Sequence, residues 1–203
     1  MHEQLLSPNE MDVAARRLVT GGIVAFPTDT VYGLAAHPRY PEAVARLFVA
    51  KQRPPEKAIP ILLANVRDLD LVAEGPSRDA LRLADAFWPG ALTLVVPRRR
   101  ANADDLPTVG VRVPALDLAR ALIRAAGGAL AVTSANVSGG PNTTSAAEVI
   151  AQLAGRIDAV VDGGRCPGGI ESTVIDTTQS PMKVLRCGGL AIEAIRAVAE
   201  VTK

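Results

Sequence analysis

Lys51, Arg53 and Lys57 fall within seven residues, in the segment Lys51-Gln52-Arg53-Pro54-Pro55-Glu56-Lys57. The adjacent prolines fix φ and stiffen the backbone, so the charges are held in place, which suits a phosphate-bearing small molecule. Lys51 and Lys57 are two of the chain's four lysines. The same segment also reads as a solvated basic loop, and charge spacing alone does not decide between the two. Small polar clusters elsewhere add to the ligand reading. Pro27-Thr28-Asp29-Thr30-Val31-Tyr32-Gly33-Leu34 follows one apolar run, and Thr133-Ser134-Ala135-Asn136-Val137-Ser138-Gly139 closes another. Gly169-Ile170-Glu171-Ser172-Thr173-Val174 opens a third. In open α/β sheets the ligand crevice forms at strand ends where loops diverge, so these clusters could share one site. Their hydroxyls, amides and backbone N–H groups would suit an amino acid or a nucleotide, with Lys51, Arg53, Lys57, Arg112 and Arg186 supplying charge.

Each cluster has a bland reading beside the functional one. Thr28-Asp29-Thr30 reads as a turn held by side-chain-to-backbone bonds, and Ser134 with Asn136 as a cap and turn. Arg112, between two valines, could face solvent, and Tyr32 could close a core edge. There is no Walker A sequence and no GxGxxG, so no standard phosphate loop is signalled. The two histidines, His2 and His37, have no metal-ligand spacing and make a Ser–His–Asp or Cys–His site improbable. An enzyme built from these residues works by positioning and charge stabilisation rather than by a covalent nucleophile.

The elements that must position these residues alternate. Ser7-Pro8-Asn9-Glu10 is a capping box with proline at the first helical position, predicting a helix to about Thr20 that stops at Gly21-Gly22. Strands are predicted over 23–26, 59–63, 92–96, 109–113, 130–133, 159–161, 172–176 and 182–185. Helices are predicted over 41–51, 77–87 and 117–126, from a second capping box at Ser145-Ala146-Ala147-Glu148 to about Leu153, and over 192–201. Strands and helices interleave without a long linker or repeat, which predicts one α/β domain spanning 1–203.

Bulk properties narrow the classes. Hydrophobic content of 48% with 21% charged residues predicts a globular chain. Net charge is +1, so no global electrostatic pull toward nucleic acid or membrane exists, and any basic site is local. Aromatics at 3% argue against a single-strand binder built on base stacking. Cys166 and Cys187 form no CxxC pair and no disulfide framework. No signal-peptide pattern opens the chain and no apolar run is long enough for a membrane span, so a cytoplasmic protein is expected.

Read together, PTDTVYGL, KQRPPEK, WPGALT, VGVRVP, TSANVSGG, GIESTVID and LRCGG resemble the YrdC-like family, the L-threonylcarbamoyladenylate synthases. The seven islands span Pro27 to Gly189 in the family's order, in the manner of its short single-domain bacterial form. The resemblance implies a twisted mixed sheet flanked by helices, with a basic concave groove. It implies a nucleotidyltransferase that makes threonylcarbamoyl-AMP and pyrophosphate from L-threonine, bicarbonate and ATP with Mg2+. The product would pass to a transferase complex that modifies the adenosine beside the tRNA anticodon.

Matched motif by motif, L-threonine would lie against Thr30, Arg112 and Ser172, with Leu62 and Val132 contributing backbone atoms. Arg112 would pair with the substrate carboxylate. The nucleotide would lie against Arg53, Lys57, Thr108, Ser134, Asn136, Asn142 and Arg186, with Lys51 and Arg53 the catalytic candidates. No magnesium ligand is assigned; Glu171 and Asp29 are the candidates. Ala58 and Cys187 stand where the family more often has proline. The competing reading is a double-stranded RNA or tRNA-binding module with Arg98-Arg99-Arg100 extending the groove, against which the net charge and Asp104-Asp105 weigh. A carbamoyl-adenylate-forming domain of the hydrogenase-maturation type is a second alternative, although such domains sit in longer chains with zinc-finger-like cysteines.

Overall fold

The first helix begins as its sequence dictates. The Glu10 carboxylate accepts from both the backbone N–H and the Oγ of Ser7, each at 2.9 Å. A 3-10 turn at Pro8–Glu10 leads into α1 (Met11–Val19). Gly21, at φ +85°, then ends it, with the Gly22 N–H donating to Arg17 O at 2.8 Å and the Gly21 N–H to Leu18 O at 3.2 Å. Those paired bonds satisfy the last helical carbonyls, and only the first glycine has to adopt a left-handed conformation. The computed structural model describes residues 3–52, 58–100 and 106–202.

Eleven strands make one mixed sheet. They are β1 (Gln4–Leu6), β2 (Ile23–Phe26), β3 (Gly33–Ala36), β4 (Ile61–Leu63), β5 (Leu92–Pro97) and β6 (Thr108–Arg112). They continue with β7 (Ala129–Ser134), β8 (Ala159–Val161), β9 (Thr173–Asp176), β10 (Met182–Arg186) and β11 (Val201–Thr202). The spatial order is β1-β8-β2-β3-β7-β4-β6-β5-β9-β10-β11. The other helices are α2 (Pro41–Lys51), α3 (Arg78–Phe87), α4 (Asp117–Ala125), α5 (Ala146–Leu153) and α6 (Ile192–Arg196).

The two faces are covered unequally. One buries the apolar sides of α2, α3, α5 and α6 against Ile61, Leu63, Leu92, Leu94, Val109, Val111 and Ile175. The other buries Ala14, Ala15 and Leu18 of α1 and Ala119, Leu122 and Ile123 of α4 against Leu6, Val24, Phe26, Leu62, Leu130 and Val132. Those two helices reach only as far as β4, so β6, β5, β9 and β10 carry no helix from that cluster on the second face. A sheet half-covered on one side leaves a hollow on that face, beyond α1 and α4.

Three expectations are corrected. The last helix ends at Arg196 rather than near Val201, and Val201–Thr202 pairs in parallel with Met182–Lys183 as an edge strand. Gly33–Ala36, read as part of a polar loop, is the fully buried strand β3, because Leu34-Ala35-Ala36 is too short and small an apolar run to show behind its polar neighbours. Gln4–Leu6, left unassigned, is β1 and pairs in parallel with β8. Among the described residues no helix is long and apolar enough to cross a membrane.

The two cysteines separate by environment. Cys166 is buried, and loss of solvation is the main cause pushing its thiol up to about 11, whereas Cys187 is exposed. At pH 8 roughly one Cys166 in a thousand is the reactive thiolate. A disulfide reagent should therefore modify one thiol rapidly in the native protein and the second only on denaturation. Two fast equivalents would show that the Cys166 site opens readily.

Candidate functional site

A cavity of about 280 Å3 occupies the open part of the second face, at the small end for ligand sites. Strand periodicity builds its floor. Pro60 and Leu62, Thr93 and Val95, Gly110 and Arg112, Val132 and Ser134, and Ser172 and Val174 are each two residues apart, so each pair looks to one side of the sheet. Registers confirm the shared face: Leu62 lies opposite Arg112, Val95 opposite Gly110, and Thr93 opposite Val174. Thr28, Thr30, Val31, Tyr32 and Gly33 form one wall, and Glu171 and Arg186 another. A Cβ at Gly33 would stand 2.7 Å from Val132 Cγ1, so Val132 packs directly over this strand.

Arg112 is 5% exposed, and each side of its guanidinium is pinned. Nε donates to Gly90 O at 2.8 Å, Nη1 to Thr30 Oγ1 at 2.9 Å, and Nη2 to Asp29 Oδ1 at 2.5 Å. Burial pulls this group below the usual arginine range, and the Asp29 carboxylate pulls it back. Five N–H groups less three bonds leave two, one on each terminal nitrogen, for a planar anion. Asp29 and Thr30 thus set the angle of the fork.

The Pro27–Leu34 cluster holds the turn that its residue types predict. Thr28 Oγ1 donates to Val31 O at 2.6 Å and accepts from the Thr30 N–H at 3.2 Å, a local turn. Its proton being used, the 3.0 Å contact between the two hydroxyls has Thr30 as donor. Thr30 Oγ1 also accepts from Arg112, which leaves it a second lone pair for an amine. The turn fixes the Thr30 hydroxyl at the cavity wall.

Arg186 reaches the cavity through a bulge. Val184 pairs with Ile175, yet the next pairing is Arg186 with Val174, so Leu185 is an extra residue. Were the strand regular, with Leu185 opposite Val174, the alternation would turn Arg186 to the other face. Its guanidinium holds Glu171 Oε2 at 2.6 Å, Ser172 O at 3.0 Å and Ser172 Oγ at 3.2 Å.

Of the residues expected to hold L-threonine, Thr30, Leu62, Arg112, Val132 and Ser172 all line this one cavity. Of those expected to hold the nucleotide, Ser134 and Arg186 line it as well. Thr108 lies half-buried on β6, outside the cavity wall, and Asn142 is exposed. Asn136 is buried with its amide engaged: Nδ2 donates to Val137 O at 3.0 Å and Gly140 O at 2.8 Å, while Oδ1 accepts from Lys51 at 3.1 Å. Lys51 is 1% exposed at the end of α2, its Nζ also donating to Asn136 O at 2.6 Å and to Ser134 O. It ties the Ser134–Asn136 loop to the helix and is absent from the cavity wall. Arg53 and Lys57 lie outside the described residues.

Sequence reading gave no role to Thr93, whose Oγ1 sits 2.7 Å from Ser172 Oγ in the floor. The signal was the last residue of WPGALT. Asp29 and Glu171, weighed only as metal candidates, are the partners of the two cavity arginines.

The sequence model of the family named for Sua5, YciO and YrdC, described as telomere recombination, matches residues 16–188. A threonylcarbamoyl-AMP synthase from Pyrococcus abyssi is 43% identical over 190 residues, covering 92% of this chain and 56% of that protein. One from Bacillus subtilis is 42% identical over 202 residues, covering 95% of this chain and 58% of that protein. The chain spans little more than half the length of these curated relatives. The structure of P. abyssi Sua5 complexed with L-threonine matches with a TM-score of 0.90 at 38% identity, over 98% of this chain and 62% of that one.

Proposed function

Because this chain belongs to the Sua5, YciO and YrdC family, we propose that it is a threonylcarbamoyl-AMP synthase, forming that product and pyrophosphate from L-threonine, bicarbonate and ATP. The observation that carries this reading is the convergence of Thr30, Leu62, Arg112, Val132 and Ser172 on one cavity, with a buried arginine fork at its base. The names of the relatives and the threonine bound in the Pyrococcus structure support the same substrate.

The residues fit the chemistry. Two N–H groups of Arg112 take the threonine carboxylate, and Thr30 Oγ1 accepts a hydrogen bond from the amine. Bicarbonate dehydrates to carbon dioxide, and the neutral amine attacks it and releases a proton to water to give the carbamate. A carbamate oxygen then attacks the α-phosphorus of ATP, and the bond to the bridging oxygen of pyrophosphate breaks. Both partners bring their own reactive atoms, so the protein aligns them and offsets phosphate charge. Arg186 and Ser134, on the cavity wall, would take the nucleotide phosphates, and Arg53 and Lys57 would add charge.

Among the described residues no three acidic, histidine or cysteine side chains cluster. Asp29 and Glu171 are each already held by an arginine, so a magnesium ion would arrive on the nucleotide phosphates, which such ions favour over all-protein cages. When bound, the ion neutralises phosphate charge. The product is an anhydride that water cleaves, so it passes to a transferase that modifies tRNA beside the anticodon.

Pyrophosphate release measured with ATP, bicarbonate and each amino acid in turn tests the reading. Threonine should support release and valine should not. Equal release with valine, or tight RNA binding at physiological salt with no ATP binding, would overturn it in favour of a binding module.

A further inference from the structure

Thr93 and Ser172 make an unusual pair. Both are 5% exposed, their hydroxyl oxygens are 2.7 Å apart, and they stand side by side in the cavity floor. Arg186 Nη2 donates into Ser172 Oγ at 3.2 Å, and among the described residues neither hydroxyl has another partner. The proton count then constrains what the pair can do. Two hydroxyls carry two protons, and their mutual bond uses one. Arg186 brings a proton in and takes none, so one O–H is left without an acceptor in a buried place, together with free lone pairs. Whichever of the two donates to the other, the spare proton belongs to the pair. A buried hydroxyl proton without a partner is unfavourable until a ligand oxygen accepts it.

The surroundings say what kind of ligand group fits. Val95 and Val174 stand beside Thr93, and at Gly110 a Cβ would be only 3.3 Å from both Thr93 Cγ2 and Pro60 Cβ. The wall beside the hydroxyls is thus apolar and close-fitting, with no room for a side chain at position 110. A carbon bearing both a hydroxyl and a methyl group matches this pairing of donor and apolar wall.

We propose that Thr93 is a specificity-determining residue, which with Ser172 binds the side-chain hydroxyl of the amino-acid substrate and fixes the direction of the Ser172 O–H. This rests on the synthase reading above. Nothing in the sequence motifs had assigned Thr93 a part.

Thr93→Val keeps the shape and the β-branched strand residue but removes the hydroxyl. In the full chain it should raise KM for threonine about tenfold and lower the threonine-over-valine preference by a similar factor, leaving KM for ATP within about twofold. Thr93→Ser should restore the preference. Calorimetric titration of threonine and valine into the wild type and both variants reads the same discrimination without turnover. If valine still binds far more weakly than threonine in Thr93→Val, the inference is wrong. The same holds if threonine and ATP constants move together, which marks a structural role only. A wild type that binds threonine but releases no pyrophosphate would instead overturn the synthase reading and leave the recognition of the hydroxyl standing.

Discussion

Arg112→Lys should lower kcat/KM for threonine by about a hundredfold or more, with most of the loss in KM for threonine. The guanidinium makes three simultaneous internal bonds, to Gly90 O, Thr30 Oγ1 and Asp29 Oδ1, and still presents two coplanar N–H groups. A lysine ammonium has three protons and no plane. It can keep the charge beside Asp29, but it cannot hold Thr30 and a substrate carboxylate together. Charge-assisted hydrogen bonds contribute about 1.5–3 kcal/mol each, so losing two gives the factor stated. Lysine preserves the buried charge pair, so the melting temperature should fall far less than with Arg112→Ala, which strands Asp29. Wild-type KM for threonine in Arg112→Lys would remove this residue from the amino-acid site.

Most helices were legible because their ends carry local chemistry. Ser7 to Glu10, Gly21-Gly22 and Ser145 to Glu148 act within a few residues of themselves, so sequence alone reveals them. In the second capping box one detail differs: Glu148 N–H donates to Ser145 Oγ at 3.3 Å, while the Glu148 carboxylate turns back to the Thr144 N–H at 2.6 Å. Short strands were harder. Gln4–Leu6 and Val201–Thr202 are strands only because β8 and β10 lie beside them, and nothing local in either segment signals a partner 155 or 19 residues away. Their pairing is a tertiary fact.

The site divides along a similar line. Thr30, Arg112 and Ser172 were readable because each sits in a motif island, and the structure brings all three to one cavity. Asp29 and Thr93 sit in islands too, PTDTVYGL and WPGALT, but their partners lie 83 and 79 residues away, so no spacing pattern gave them their roles. Arg186 shows the limit best. An alternating strand through Met182 to Arg186 would send it to the helix-covered face, and a single inserted residue, Leu185, turns it to the cavity. Register is set by the partner strand, so the side on which Arg186 lies could not be read from LRCGG.

Gly188→Ala should destabilise the protein by roughly 2–4 kcal/mol, a fall in melting temperature of about 5–15 °C for a chain of this size. A Cβ at this position would lie 2.3 Å from Glu171 O, 2.4 Å from Ser172 C and 2.5 Å from Ser172 O. All three are backbone atoms, so no side-chain rotation relieves the contact. The turn after β10 must move off the Glu171–Thr173 segment by about an ångström, since carbon and oxygen cannot rest much closer than about 3.5 Å. That movement strains the bonds joining the two segments: Gly188 N–H to Thr173 Oγ1 at 3.0 Å, Gly189 N–H to Glu171 O at 2.8 Å, and Arg186 Nε to Ser172 O at 3.0 Å. Ser172 and Arg186 are both cavity residues, so activity should fall further than folding requires, even at a temperature where the variant remains native. Gly33→Ala offers the contrast. Its near contact, at 2.7 Å, is with the Val132 side chain, which can turn aside, so its stability cost should be smaller and its effect confined to the cavity. Thermal unfolding of both variants, followed by pyrophosphate release well below each melting point, separates the two. A Gly188→Ala protein that melts with the wild type would show that this turn is not clamped as tightly as these distances require.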